Sequence, residues 1–180
     1  MRPLEEALRL AGHLNTRIFV HPTDPPVPMA EVASYLRKGD VMCHMYHQEG
    51  YTIMDGDEVD EEVKKARNRG VIFDVSQGKG NFSIALAKKA VSQGFLPYTV
   101  STDLNIENWN SPLDFSLLMT MSKLMALGME FDDVLKGVTV NAAEIFGKPG
   151  DMGVLKVGTY ADITVLSMEN QKIEFTDKYN

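Results

Sequence analysis

Lys38-Gly39-Asp40-Val41-Met42-Cys43-His44 decides the fold. Its glycine stands where a helix over Met29 to Leu36 would end, and the short apolar run behind it stops on a polar, chemically active side chain. The same arrangement recurs on both sides. Upstream, Leu4, Ala7, Leu8, Ala11 and Leu14 fall at helical spacing. Arg17-Ile18-Phe19-Val20 then runs to His21, ahead of a proline-rich stretch from Pro22 to Pro28 that no regular element can hold. Downstream, a helix opening on Asp60-Glu61-Glu62 closes at Arg69-Gly70, and Val71-Ile72-Phe73 leads to Asp74. Another helix, from about Phe82, stops at Gln93-Gly94, and Tyr98-Thr99-Val100 leads to Ser101-Thr102-Asp103.

The closing residues His21, His44, Asp74 and Asp103 are 23, 30 and 29 positions apart. A period of roughly 30 residues is that of βα units, and strands this short and apolar suit a parallel sheet buried on both faces. The expected architecture is therefore α/β. A longer helix is expected from about Leu113 to Leu127, then a helical region from Phe131 to Phe146. From Gly147 the texture changes to glycine-punctuated alternation, Gly153-Val154-Leu155-Lys156-Val157-Gly158 and Ala161-Asp162-Ile163-Thr164-Val165-Leu166. That pattern predicts a few antiparallel strands in a small β layer, separating residues 147–180 from residues 1–146.

Composition narrows the function. The 180 residues carry a net charge of −7, which argues against a nucleic-acid partner, because phosphate affinity needs clustered Lys and Arg. Hydrophobic residues at 44% and charged ones at 24% are globular proportions, and no apolar run approaches the ~18 residues of a membrane span. A cytoplasmic protein with no membrane partner is expected. Cys43, the single cysteine, excludes an internal disulfide and a Cys-rich zinc cage; by strand alternation it should face away from His44, buried and inert. Met119, Met121, Met125 and Met129 read as core filler.

In parallel α/β folds the carboxyl ends of the strands form the ligand-binding mouth. Here they deliver His, His, Asp and Asp, donors suited to zinc, iron or manganese, with Asp also able to act as a general base. A lone His at a strand end is more often hydrogen-bonded than metal-bound. Two successive units ending in His leave the two readings evenly balanced. His47 is a further candidate contact, and His13 reads as structural. Between a strand and a helix start, Ser76-Gln77-Gly78-Lys79-Gly80-Asn81-Phe82-Ser83 could hold an anion on its backbone N–H groups, although a tight turn needing glycine accounts for it more simply.

Several of these pieces together resemble the metal-dependent amidohydrolase superfamily, in its dihydroorotase-like and deacetylase-like branch. They are Val20-His21-Pro22, Asp40-Val41-Met42-Cys43-His44-Met45-Tyr46-His47, Gly70-Val71-Ile72-Phe73-Asp74-Val75, Gly94-Phe95-Leu96-Pro97, Ser101-Thr102-Asp103-Leu104, Thr120-Met121-Ser122-Lys123 and Ala126-Leu127-Gly128-Met129. Asn141-Ala142-Ala143 and the tail repeats look like the stretch where that superfamily's barrel returns to its small β-sandwich. The resemblance implies the C-terminal half of a (β/α)8 barrel, four parallel βα units equivalent to strands five to eight, followed by a short β segment of the sandwich domain. A whole barrel usually needs about 250 residues, more than this chain has.

By the same resemblance His21 and His44 are metal ligands, and Asp103 is both ligand and catalytic proton shuttle. The cofactor is a divalent metal, zinc foremost, one or two in a complete enzyme. Such enzymes use the metal to activate water and polarise an amide carbonyl. The expected partner is a small-molecule amide, cyclic or N-acyl, with substrate contacts from His47, Gln77, Gly78 and Asn105. Related sequences tend to carry His near Gln77 and after the Asp-Leu pair, so these contacts should differ. The family's first-strand His-x-His pair and fourth-strand lysine have no counterpart here, so the metal shell is expected to be incomplete and the chain inactive without an N-terminal half in trans. The contrasting expectation is a non-catalytic module that associates through open sheet edges, with itself or another chain.

Overall fold

The computed structural model describes residues 2–106, 108–109 and 116–179. In chain order the elements are α1 (Arg2–His13), β1 (Phe19–Val20), α2 (Met29–Tyr35), β2 (Val41–Met42), β3 (Met54–Asp55), β4 (Glu58–Val59), α3 (Glu61–Arg69), β5 (Ile72–Phe73), α4 (Ile84–Ser92), α5 (Leu117–Ala126), α6 (Phe131–Val138) and α7 (Val140–Ile145). The start of the expected helix at Leu113 lies outside the described residues.

β1, β2 and β5 form a parallel sheet in that order, with Phe19 opposite Val41 and Val41 opposite Ile72. Residues 98–103 run parallel beside β5 through bridges at Asp74–Thr99 and Gln77–Thr102 rather than as a continuous strand. Ser76, with φ 43°, breaks the extended path between those two bridges. Helices end where glycine allows it: Gly70 closes α3 at φ 95°, and Asp60 opens it by accepting from the N–H groups of Glu62 and Val63.

The core lies between the sheet and its helices. Met42 and Phe73 pack with Val32, Val63, Ala87 and Val91, while Ile18 and Val20 press on the same cluster. Alternation sends Phe19 to the other face of the sheet, where it is 57% exposed. The β3–β4 hairpin, turning at Gly56 with φ 61°, was not anticipated, although Asp55-Gly56 is a hairpin signal; it packs against α4.

The tail departs from expectation. Among the described residues beyond Gly147 there is an isolated Pro149–Met152 bridge and no strand pair, and Ile163 and Val165 are exposed. An alternating sequence becomes a strand only beside a hydrogen-bonding partner, and none lies along this segment. The end of the chain is nonetheless anchored: the Asp177 carboxylate accepts from Ile84 N–H at 2.6 Å, Tyr179 O–H donates to the Gly80 carbonyl, and Lys178 pairs with Glu49.

At the amino-terminal end of the sheet, buried Asp40 ties β1 to β2. It accepts from the N–H of Ile18 and from the backbone and guanidinium of Arg37, at 2.8–3.0 Å. Burial alone would raise its pKa, but those hydrogen bonds outweigh it and hold the carboxyl below the ordinary value. Stability from a depressed carboxyl is present above the unfolded-state pKa and is lost as pH falls through the folded one. Asp40→Asn should therefore cost about 2 kcal/mol in urea unfolding at pH 6. The gap from the parent chain should shrink as pH drops below about 4; a constant gap would contradict the assignment.

Candidate metal centre

Three side chains predicted from the strand ends converge. One ligand atom from each of His21, His44 and Asp103 lies within 4.8 Å of the others, and the two imidazoles stack edge to face with ring centres 4.0 Å apart. His21 follows β1, His44 lies two residues beyond β2, and Asp103 ends the segment beside β5, so all three stand at carboxyl ends along one parallel sheet, with β5 between β2 and the segment that carries Asp103. His21 is exposed, His44 is buried and Asp103 is intermediate.

Local backbone shape aims the rings. His44 has φ 54°, a left-handed conformation that bulky residues rarely adopt, and such strain collects at functional sites. Its Nδ1 lies 2.7 Å from the carbonyl oxygen of Ser76. A carbonyl only accepts, so Nδ1 carries the hydrogen and Nε2 keeps its lone pair. Burial, then the neighbouring His21, pushes the His44 pKa down to about 4, with Ser76, Asp103 and Asp74 partly offsetting this. At neutral pH the ring is uncharged, the form that ligates metals.

The Asp103 carboxylate accepts no hydrogen bond among the described residues. Its backbone is fixed instead: its N–H donates to the Gln77 carbonyl, and its carbonyl accepts from the side-chain amides of Asn105 at 3.1 Å and Asn108 at 2.8 Å. Asn108, buried, escaped the sequence reading; Asn105 and Asn108 also exchange side-chain-to-backbone bonds, an Asx pattern visible in sequence only as two asparagines three apart.

A divalent metal fits this donor set. Ligands at about 2.1 Å can stand no more than ~4.2 Å apart across one ion, so the observed separations need only small side-chain rotations. The locked Nδ1–H of His44 is the outer contact that metal-ligating histidines commonly make.

The remaining candidates divide. Gln77 is buried, with an Oε1 that has no hydrogen-bond partner among the described residues, and Gly78 packs directly on Asp103. A Cβ on Gly78 would lie 2.7 Å from Asp103 Oδ2 and 3.0 Å from its Cβ, whereas one on Gly80 would meet only the flexible end of Lys178 at 3.4 Å. Gly78→Ala should thus weaken zinc binding about 10-fold by isothermal titration while Gly80→Ala leaves it within about twofold. Equal affinities would remove Gly78 from the site.

His47, the further candidate contact, is fully buried, with Nδ1 2.9 Å from the His44 carbonyl and Nε2 2.9 Å from the Tyr51 carbonyl, so both ring nitrogens face backbone carbonyls of its own loop. Cys43 is half-buried; burial foremost, with the charges of Asp74 and Asp103 and against a hydrogen bond with Ser76, pushes its thiol up to about 11. Just beyond the Ser76–Ser83 stretch, Asp177 takes the N–H of Ile84, and Ser83 Oγ accepts that of Leu86.

The amidohydrolase family pattern matches residues 31–179. The chain belongs to the amidohydrolase family. It is 32% identical over 97% of its length to deacetylases of Brucella anthropi and Agrobacterium fabrum, in each case covering 43% of the relative. Among solved structures it is similar to an adenine deaminase, with TM-score 0.93, 28% identity, and coverage of 99% of this chain and 49% of that one. A dihydroorotase aligns with TM-score 0.80 and 32% identity over 95% of this chain and 44% of that one. This amidohydrolase chain thus spans a little under half the length of the relatives it matches, and no helix among its described residues is long and apolar enough to cross a membrane.

Proposed function

We propose that the chain supplies strands five to eight of a (β/α)8 barrel and part of the metal site of a hydrolase acting on a cyclic amide or N-acyl bond. One observation carries this reading: the convergence of His21, His44 and Asp103 at the carboxyl end of a parallel sheet, with His44 held in its metal-binding tautomer. Residues 147–180 are then a segment of the small β-sandwich, extended and awaiting its partner strands, which accounts for their exposed alternating apolar residues.

His21 and His44 would hold a divalent metal, zinc foremost, with Asp103 beside them; bound there, such a metal supplies Lewis-acid polarisation of a carbonyl and activation of water. Asp103, whose carboxylate is unengaged, accepts a proton from the attacking water and returns it to the leaving nitrogen. Gln77 and Gly78 border Asp103 and would meet substrate from the same side, with Asn105 at the rim.

Three protein ligands leave a binuclear shell unfilled, so turnover calls for an N-terminal half carrying the first four βα units. The free edge of β1 and the exposed Phe19 are where it would dock. The test mixes the chain with such a half and measures bound metal and N-acyl amide hydrolysis. Metal uptake by the chain and hydrolysis only by the mixture are expected. A mixture that stays metal-free and inactive would refute the hydrolase reading, and a homodimer blocking the edge would favour an association module.

A further inference from the structure

Asp74 closes β5 at 5% exposure, and the chemistry above gives it no part. Both of its oxygens are taken: Thr99 Oγ1 donates to Oδ1 at 2.6 Å, while Ser101 Oγ, at 2.6 Å, and Ser76 Oγ donate to Oδ2. With three hydroxyls on its oxygens, this carboxylate stands outside the group formed by His21, His44 and Asp103. What it does hold is Ser76, a non-glycine residue at φ 43°, in a conformation costing about 1–2 kcal/mol. It is in this left-handed turn that the Ser76 carbonyl reaches His44 Nδ1.

We infer that Asp74 is a positioning residue that acts through the Ser76 hydroxyl to hold the turn whose carbonyl sets the tautomer and direction of the His44 ring. The inference rests on the metal reading for its purpose but not for its geometry. Comparing two of the three hydroxyls on this carboxylate separates positioning from plain structural support. Ser76 Oγ belongs to the residue that touches His44; Thr99 Oγ1 only ties Asp74 to the neighbouring segment.

The experiment compares Ser76→Ala, Ser76→Gly and Thr99→Val in the full chain, with two readouts. Long-range 1H–15N correlation of the histidine rings reports the His44 tautomer without metal, and cobalt titration reports affinity. In the parent chain and in Thr99→Val, His44 should show the Nδ1–H pattern, with cobalt affinities within about threefold of each other. In Ser76→Ala and Ser76→Gly the Nε2–H form should grow in, and affinity should fall about 10- to 100-fold; the glycine variant, free of backbone strain, shows that anchoring rather than strain is what is lost. Retention of the Nδ1–H pattern in both Ser76 variants, or an equal loss in Thr99→Val, overturns the inference. If the parent chain binds no cobalt, the metal reading falls while the tautomer comparison still decides this one.

Discussion

Replacing His21 by alanine lowers the affinity of the chain for zinc or cobalt by at least about 100-fold and leaves the thermal unfolding of the metal-free chain unchanged. The first half follows from ligand count. With three donors on this chain, losing one imidazole removes a third of the protein shell and a contact about 2 Å long that water replaces poorly. The second half follows from exposure: His21 is open to solvent, so removing its ring, edge to face with His44, uncovers little of the core. His44→Ala should lose at least as much affinity, but it also strips the Ser76 carbonyl of its buried donor and should lower stability by about 1–3 kcal/mol. The exposed histidine is therefore the cleaner test. Calorimetric titration showing His21→Ala within fivefold of the parent chain would mean that the cluster does not share a cation.

Asp103→Asn should reduce hydrolysis by the reconstituted enzyme by about 10²–10⁴-fold while most metal binding survives. The amide keeps the shape of the carboxylate and can still offer an oxygen, but it cannot take a proton from water or deliver one to nitrogen. The backbone bonds from Asn105, from Asn108 and to Gln77 do not involve the exchanged atoms, so the loop should stay in place. Single-turnover hydrolysis by the mixture, with metal content measured on the same sample, separates the two effects. Turnover within tenfold of the parent at full metal loading would take the proton-transfer role away from Asp103.

The strand ends were legible because burial and chemistry compete within a few residues: a sheet core demands an apolar run, so the first polar side chain after it marks the mouth. That rule picks out His21, His44 and Asp103, whose ligand atoms lie together in the structure, and the order of the helices between them. Asp74 was found too, but whether a strand-end carboxylate faces a ligand or a ring of hydroxyls depends on Thr99 and Ser101 arriving from 25 and 27 residues away. The surroundings of His47 were hidden for a similar reason, since the groups beside its ring nitrogens are backbone carbonyls, which carry no signature in the sequence. The tail kept its strand-like alternation without forming strands, because pairing is a property of two segments and no second one lies along it among the described residues.

The clasp between Asp177 and Ile84 makes one amide unusually informative. First-turn amides of a helix have no carbonyl partner inside it and normally trade their hydrogen with solvent quickly. That of Ile84 is covered by a side chain 93 residues further along the chain. In deuterated water its slow exchange would therefore report, at single-residue resolution, whether residues 176–179 are seated, and nicking the chain ahead of them would turn a protected hydrogen into one lost at the rate of an open loop.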